Sequence, residues 1–196
     1  MPNQVHPSER ISSTPPLRRI QTWGRQVGIF AATLLALTLV IELAGCGGGE
    51  VAKDYADRVL VKKSERKLQL LKAGSVLREY RVALSDNPTG HKLQEGDKRT
   101  PEGDYVLDWR NPRSNFHRSI HVSYPNSRDQ EVARLLGVNP GGMIMIHGQP
   151  NYIQSAKVKA EYQGRDWTNG CIAVQDQEMD EIWQLVRDGT PIRIQQ

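Results

Sequence analysis

From Arg58 onward the chain breaks into short runs of alternating apolar residues separated by turns, a pattern that suits a β-sheet with one buried face and not a bundle of helices. Val59-Leu60-Val61 leads to a polar turn at Ser64-Glu65-Arg66, Lys67-Leu68-Gln69-Leu70 leads to a turn at Ala73-Gly74, and a third run spans Val76 to Leu84. Successive side chains on a strand point to opposite faces, so each run buries every second residue and the three together predict a meander. Further strands are expected at Tyr105-Val106-Leu107, Ser119 to Tyr124, the run from Met143 to His147, and Pro191 to Ile194. Two helices interrupt this pattern. Ser127-Arg128-Asp129-Gln130 has the form of a capping box ahead of Val132, Leu135 and Leu136, and Asp176 can cap a helix that buries Met179, Ile182, Trp183 and Val186. The expected fold over residues 57–196 is mainly β with flanking helices, a mixed-sheet, β-sandwich-like arrangement.

The loops carry less pattern. Gly90 to Arg99 is polar, and Thr100-Pro101-Glu102-Gly103 reads as turn chemistry before a strand. Gln149 to Arg165 has no clean period; it is either a solvated connection with one short helix or a lid whose cations, Arg165 among them, meet carboxylates.

The first part of the chain is of another kind. Arg18, Arg19 and Arg25 precede an apolar stretch from Val27 to Ile41, and Leu43-Ala44-Gly45-Cys46 resembles a bacterial lipoprotein cleavage box. Residues 1–45 are therefore expected to be a signal peptide or membrane anchor with a basic leading region, Cys46 a lipidation site, and residues 46–56 a flexible tether opened by Gly47-Gly48-Gly49. About ten extended residues reach at most ~35 Å, which would keep the domain close to its membrane. Both readings place it on the periplasmic side of a bacterial membrane, held there by Cys46 or by the apolar segment. Residues 1–45 carry four arginines and two acids, leaving 22 basic against 20 acidic residues in the remainder. That balance argues against a nucleic-acid binder, for which a clustered basic face would be expected.

With Cys46 assigned to lipid, Cys171 is left unpaired in an oxidising compartment, where a lone thiol is a candidate reactive group. It sits in Asp166-Trp167-Thr168-Asn169-Gly170-Cys171-Ile172-Ala173-Val174, downstream of Met143-Ile144-Met145-Ile146-His147-Gly148. A cysteine attacks only as thiolate, so it needs a base and a donor for the oxyanion. His147 at the end of a strand could be the base, and the amides of Gly170 and Cys171 could meet the oxyanion. A thiolate held by His147 would react with thiol reagents faster than a model thiol. Two plainer readings stand beside this one. Asn169-Gly170 is also a type I′ hairpin signal, after which the cysteine would be an inert buried residue. His117 and His121, four apart, could join His147 and Cys171 in a zinc set.

His147-Gly148, then Thr168-Asn169-Gly170-Cys171-Ile172, preceded by Gly96-Asp97-Lys98-Arg99-Thr100-Pro101-Glu102-Gly103-Asp104-Tyr105, resemble in order and type the L,D-transpeptidase catalytic domain family of bacterial cell-wall enzymes. The resemblance covers about residues 57 to 194. It implies that Cys171 is the nucleophile, His147 the general base and then acid, and the carbonyl of Gly148 the group that orients the imidazole. Gly170, Asn169, Thr168, Arg165 and Tyr124 are the expected oxyanion and substrate contacts.

The substrates implied are peptidoglycan stem peptides, with a stem amine or a wall-attached protein as acceptor and no metal or organic cofactor. Many members carry histidine directly before the Gly-Cys pair and arginine shortly after it, where this chain has Asn169 and Ala173. That variation resembles a subgroup containing both cross-linking and bond-cutting enzymes, so hydrolysis of wall peptide or protein-wall bonds is an alternative outcome of the same thioester. A non-catalytic wall-binding lipoprotein is the alternative from another class.

Overall fold

The computed structural model describes residues 54–196; the expected leader and Cys46 lie outside the described residues. Among the described residues the strands are β1 (Arg58–Lys62), β2 (Lys67–Lys72), β3 (Ser75–Arg81), β4 (Gly103–Asn111), β5 (Ser119–Val122), β6 (Met145–His147), β7 (Ile172–Ala173) and β8 (Thr190–Gln195). The helices are α1 (Ser127–Leu136), α2 (Ala156–Gln163) and α3 (Asp176–Leu185). No helix among these residues is long and apolar enough to cross a membrane.

All eight strands join one mixed sheet in the order β3-β2-β1-β8-β4-β5-β6-β7. The pairs β1–β8 and β6–β7 are parallel and the others antiparallel. The sheet curls until its edges meet. Past Arg81 the chain leaves β2 and bridges to β7: Ala83 and Ala173 exchange both backbone hydrogen bonds, at 2.8 and 2.9 Å, and Ser85 bridges Thr168. The third run expected from the sequence, Val76 to Leu84, is thus two pieces that serve opposite ends of one sheet. Backbone groups that an open edge would leave unpaired are satisfied by this closure.

The alternating residues fill the interior of the curl. Val59, Val61, Leu68, Leu70, Leu107, Ile120, Ile146, Ile172, Ile192 and Ile194 are all buried, with Met179 and Ile182 of α3 packed on them. Two expectations about helices are corrected. The cap of α1 is Asn126, one residue before Ser127: its side chain accepts from the amides of Arg128 and Asp129, while Asp129 accepts from the amide of Asn126. The inward face is set by a buried carboxylate, because Asp129 also accepts from Tyr105 Oη at 3.0 Å and lies 3.1 Å from His91 Nε2. Leu135 and Leu136, expected inside, are therefore 70% and 56% exposed. In α3 the cap is Gln175, not Asp176, and Trp183 is only partly buried, between the guanidinium groups of Arg110 and Arg118. Asp176 is released for other work: it accepts from the Gln149 amide and pairs with Lys159.

The long loop between β3 and β4 is held by two buried lysines. Lys63, fully buried at the end of β1, donates from Nζ to Gly90 O (2.6 Å), Thr100 O (3.1 Å) and Glu102 Oε1 (2.7 Å). Lys92 pairs with Asp97, which also accepts from the amides of Leu93, Gln94 and Arg99. Burial alone would disfavour the Lys63 ammonium, so its three acceptors are what keep it there. Replacing Lys63 by Met strands those acceptors and is expected to lower the unfolding free energy by about 2–4 kcal/mol, read by urea denaturation. A variant as stable as the wild type would show that the lysine does not hold this loop.

Candidate active site

The parallel pairing of β6 with β7 places Ile146 opposite Ile172 and His147 opposite Ala173. Paired residues share a face and successive residues alternate, so Ile146 and Ile172 turn to the core while His147, Ala173 and Cys171 turn the other way. His147 and Cys171, 24 positions apart in sequence, line one cavity of about 350 Å³.

The imidazole is fixed from several sides. His147 is 4% exposed, its ring 4.7 Å from that of Phe116 and 5.6 Å from that of Trp167. Its Nδ1 lies 2.7 Å from the carbonyl oxygen of Gly148. A carbonyl can only accept, so Nδ1 carries the proton and Nε2 keeps a free lone pair. Gly148 is held in turn by its amide, which donates to the carbonyls of Phe116 and Arg118. A Cβ here would stand 2.7 Å from Asp176 Oδ1 and 2.8 Å from the Cβ of His117, so the close packing that aims this carbonyl requires glycine. Desolvation lowers the His147 pKa to about 4 against the lesser, opposing effect of its Gly148 hydrogen bond.

Cys171 is partly exposed and free. Burial of the sulfur raises the thiol pKa, opposed by the nearby Met145 backbone and by the positive charge of Lys92. The thiol also lies 3.6 Å from Met143 O, as a donor to it. Both shifts favour neutral partners: a thiol beside a neutral imidazole. Burial works against the standing thiolate expected from the sequence, because a site that shields its cysteine from water also withdraws the solvation a thiolate needs.

The loop that leads into Cys171 is not a type I′ hairpin. Gly170 has φ +115° but Asn169 lies outside the positive-φ region that such a turn demands of both residues. A Cβ on Gly170 would meet Arg99 O at 2.7 Å. Thr168 Oγ1 donates to Cys171 O at 2.8 Å and accepts from the Gly170 amide at 3.3 Å. Thr168 and Gly170 therefore shape the loop, and the Gly170 amide is engaged within it rather than free for an oxyanion. Asp166 anchors the same loop, binding the Arg66 guanidinium and accepting from the Leu84 amide.

Of the other expected contacts, exposed Asn169 lines the cavity and two do not. Arg165 lies over the ring of Tyr162, 4.8 Å from its centroid, and stays out of the cleft. Tyr124 is 3% exposed in the core and donates to Pro140 O at 3.1 Å. A tyrosine at a strand end that finds a backbone acceptor inside has no reason to turn outward. The stretch 149–165 is a solvated connection: α2 has no buried residue. The histidines weighed as zinc ligands have separate carboxylates, His117 with Asp180 at 2.8 Å and His121 with Asp108 at 2.7 Å. No three His, Cys, Asp or Glu side chains converge among the described residues.

Phe116, Ser119, Met145, Asn111 and Trp167 line the cavity without having been singled out. The alternation of β5 was the available signal for Ser119, which pairs with His147 and so shares its face. A second cavity of about 430 Å³, lined by Lys92, Glu95, Lys98, Gly141 and Ile144, meets the first at Met143, Asn169 and Cys171. Cys171 stands where the two clefts join.

His147 ends β6 and Cys171 immediately precedes β7, the adjacent parallel strand of a curled mixed sheet. Residues 56–194 match the YkuD family, the L,D-transpeptidase catalytic domain, and the chain belongs to that family. It is similar, at 30% identity over 79% of its length, to the protein named "Putative L,D-transpeptidase YafK" in Escherichia coli, and the match spans 63% of that relative. Among solved structures it is similar to Bdellovibrio bacteriovorus Bd1075, with 23% identity, a TM-score of 0.48, and coverage of 74% of this chain and 50% of that one. It is also similar to an L,D-transpeptidase from Xylanimonas cellulosilytica, with 12% identity, a TM-score of 0.45, and coverage of 82% and 69%.

Two outcomes follow from the buried pair. Between pH 6.5 and about 4 an unfolded chain protonates this imidazole while the folded one does not, so stability falls as pH drops through that window. The wild type is expected to lose about 3 kcal/mol more than His147→Gln between pH 7 and pH 4, by urea denaturation at each pH. Equal losses would mean the ring is not shielded. Iodoacetamide at pH 7 is expected to alkylate Cys171 more slowly than free cysteine, followed by intact mass; faster labelling would restore the standing thiolate.

Proposed function

We propose that this domain catalyses peptidoglycan L,D-transpeptidation through a thioester on Cys171. The reading is carried by the His147 geometry: an imidazole whose Nδ1 proton is fixed on Gly148 O, leaving Nε2 as a base in the cavity that Cys171 also lines. As Sγ attacks the carbonyl of the L-centre of the third residue of a tetrapeptide stem, its proton passes to Nε2. The imidazolium so formed is stabilised by the Gly148 carbonyl, in the place a carboxylate takes in a serine triad. Collapse breaks the bond to the terminal D-alanine, whose amine takes the proton from Nε2, and the thioester remains. An acceptor amine then attacks, gives its proton to Nε2, and Cys171 leaves as thiol once that proton returns. Transfer without a standing thiolate confines nucleophilicity to the occupied site.

Two clefts meeting at the sulfur favour an amine acceptor over water, since each can hold one peptide while closing the thioester from solvent. The acceptor is a stem side-chain amine or a wall-attached protein. The Leu43-Ala44-Gly45-Cys46 box supports lipidation at Cys46 and action on the periplasmic side of a membrane.

The purified protein, incubated with tetrapeptide muropeptides and analysed by mass, is expected to give cross-linked dimers with loss of one D-alanine. Cys171→Ala should give none, and His147→Ala should slow formation by a factor of about 10² or more. Released stems without dimers would replace transfer by hydrolysis, and activity surviving in Cys171→Ala would remove the thioester.

A further inference from the structure

The outward face of β4 and β5 carries an aromatic feature that the transfer chemistry does not use. Leu107 pairs with Val122 and Arg110 with Ile120, so β4 holds one residue more than β5 over this stretch. The extra residue makes a bulge, and Asp108 and Trp109 both lie exposed there, while Leu107, Ile120 and Val122 are buried. Bulges re-aim side chains in this way. One face of the Trp109 indole lies on the His121 imidazole, with centroids 4.8 Å apart and planes 18° apart, and Asp108 Oδ1 holds His121 Nδ1 at 2.7 Å. With that face covered, Trp109 is still 39% exposed.

A single exposed tryptophan is ordinary. This one continues the floor of the catalytic cavity. His121 pairs with Met145 of β6, Met145 lines the cavity, and the register of Ile146 with Ile172 sets Met145 beside Cys171. Ser119, two positions along β5 on the same face, lines the cavity as well. Trp109, His121, Met145 and Cys171 thus form a row across four adjacent strands, about 14 Å from end to end at ~4.8 Å per strand.

We propose that Trp109 and His121 form a stacking platform for the sugar that carries the stem peptide, a binding site for the N-acetylated glycan strand. The inference rests on the stem-peptide reading above. A stem whose third residue is at the sulfur places its first residue ~10 Å away when extended, and its sugar just beyond, the distance of the platform. The apolar C–H face of a pyranose presents weakly positive hydrogens to the negative face of an indole. Asp108, on the rim, accepts hydrogen bonds from sugar hydroxyls.

The test is calorimetric titration of the full chain with peptide-free oligosaccharides of alternating N-acetylglucosamine and N-acetylmuramic acid. The wild type is expected to bind saturably, Trp109→Ala to bind about five- to tenfold more weakly, and Trp109→Phe to keep most of the affinity. Circular dichroism of each variant checks that it is folded. No binding by the wild type, equal binding by Trp109→Ala, or Phe as poor as Ala would each overturn the platform. The titration needs no turnover: failure here with cross-linking intact removes only the platform, and binding here without cross-linking removes only the transpeptidase reading.

Discussion

The parallel pairing of β6 and β7 is the constraint on which the site depends. It is a two-residue ladder, Ile146 with Ile172 and His147 with Ala173, too short to persist alone. What fixes it is the closure of the sheet, in which Ala83 exchanges both backbone hydrogen bonds with Ala173 while Ile146 and Ile172 sit in the core beneath. A slip of one residue would turn Cys171 inward and Ile172 outward, so core burial enforces the register that chemistry requires. The segment after β3 thus helps hold the register of the site from outside the cavity.

The same packing sets the protonation states. Phe116 and Trp167 around His147 remove water from the ring, and the Gly148 carbonyl then decides which nitrogen keeps the single proton. An imidazole shielded in this way is a poor cation at rest. Burial of the Cys171 sulfur likewise pushes its thiol pKa up. The two shifts have one cause, and a resting thiol is also the form that resists oxidation.

Much of this was legible in the chain, and the failures share a reason. The strands, the core alternation and the placing of His147 and Cys171 on one cavity follow from period-two patterning and from motifs whose residue types have few other uses together. What was missed depends on contacts between segments far apart. Tyr124 looked available for the cleft because its partner, the Pro140 carbonyl, comes from another loop. Leu135 and Leu136 looked like a core stripe because nothing local says that Asp129 is held inside by Tyr105 and His91. Thr168 and Gly170 looked free for substrate because the loop's own hydrogen bonds are invisible in a linear pattern. Lys63 carried no signal at all, since a lysine at a strand end is ordinarily solvated.

Everything in the chemical account requires one tautomer of one ring. Nitrogen-15 chemical shifts of the His147 imidazole, followed from pH 8 down to pH 5, report it directly. The account expects a neutral ring protonated at Nδ1 throughout that range, unchanged when Cys171 is replaced by Ala. A ring protonated on both nitrogens at pH 7 that becomes neutral in Cys171→Ala would reveal a standing thiolate–imidazolium pair and contradict it.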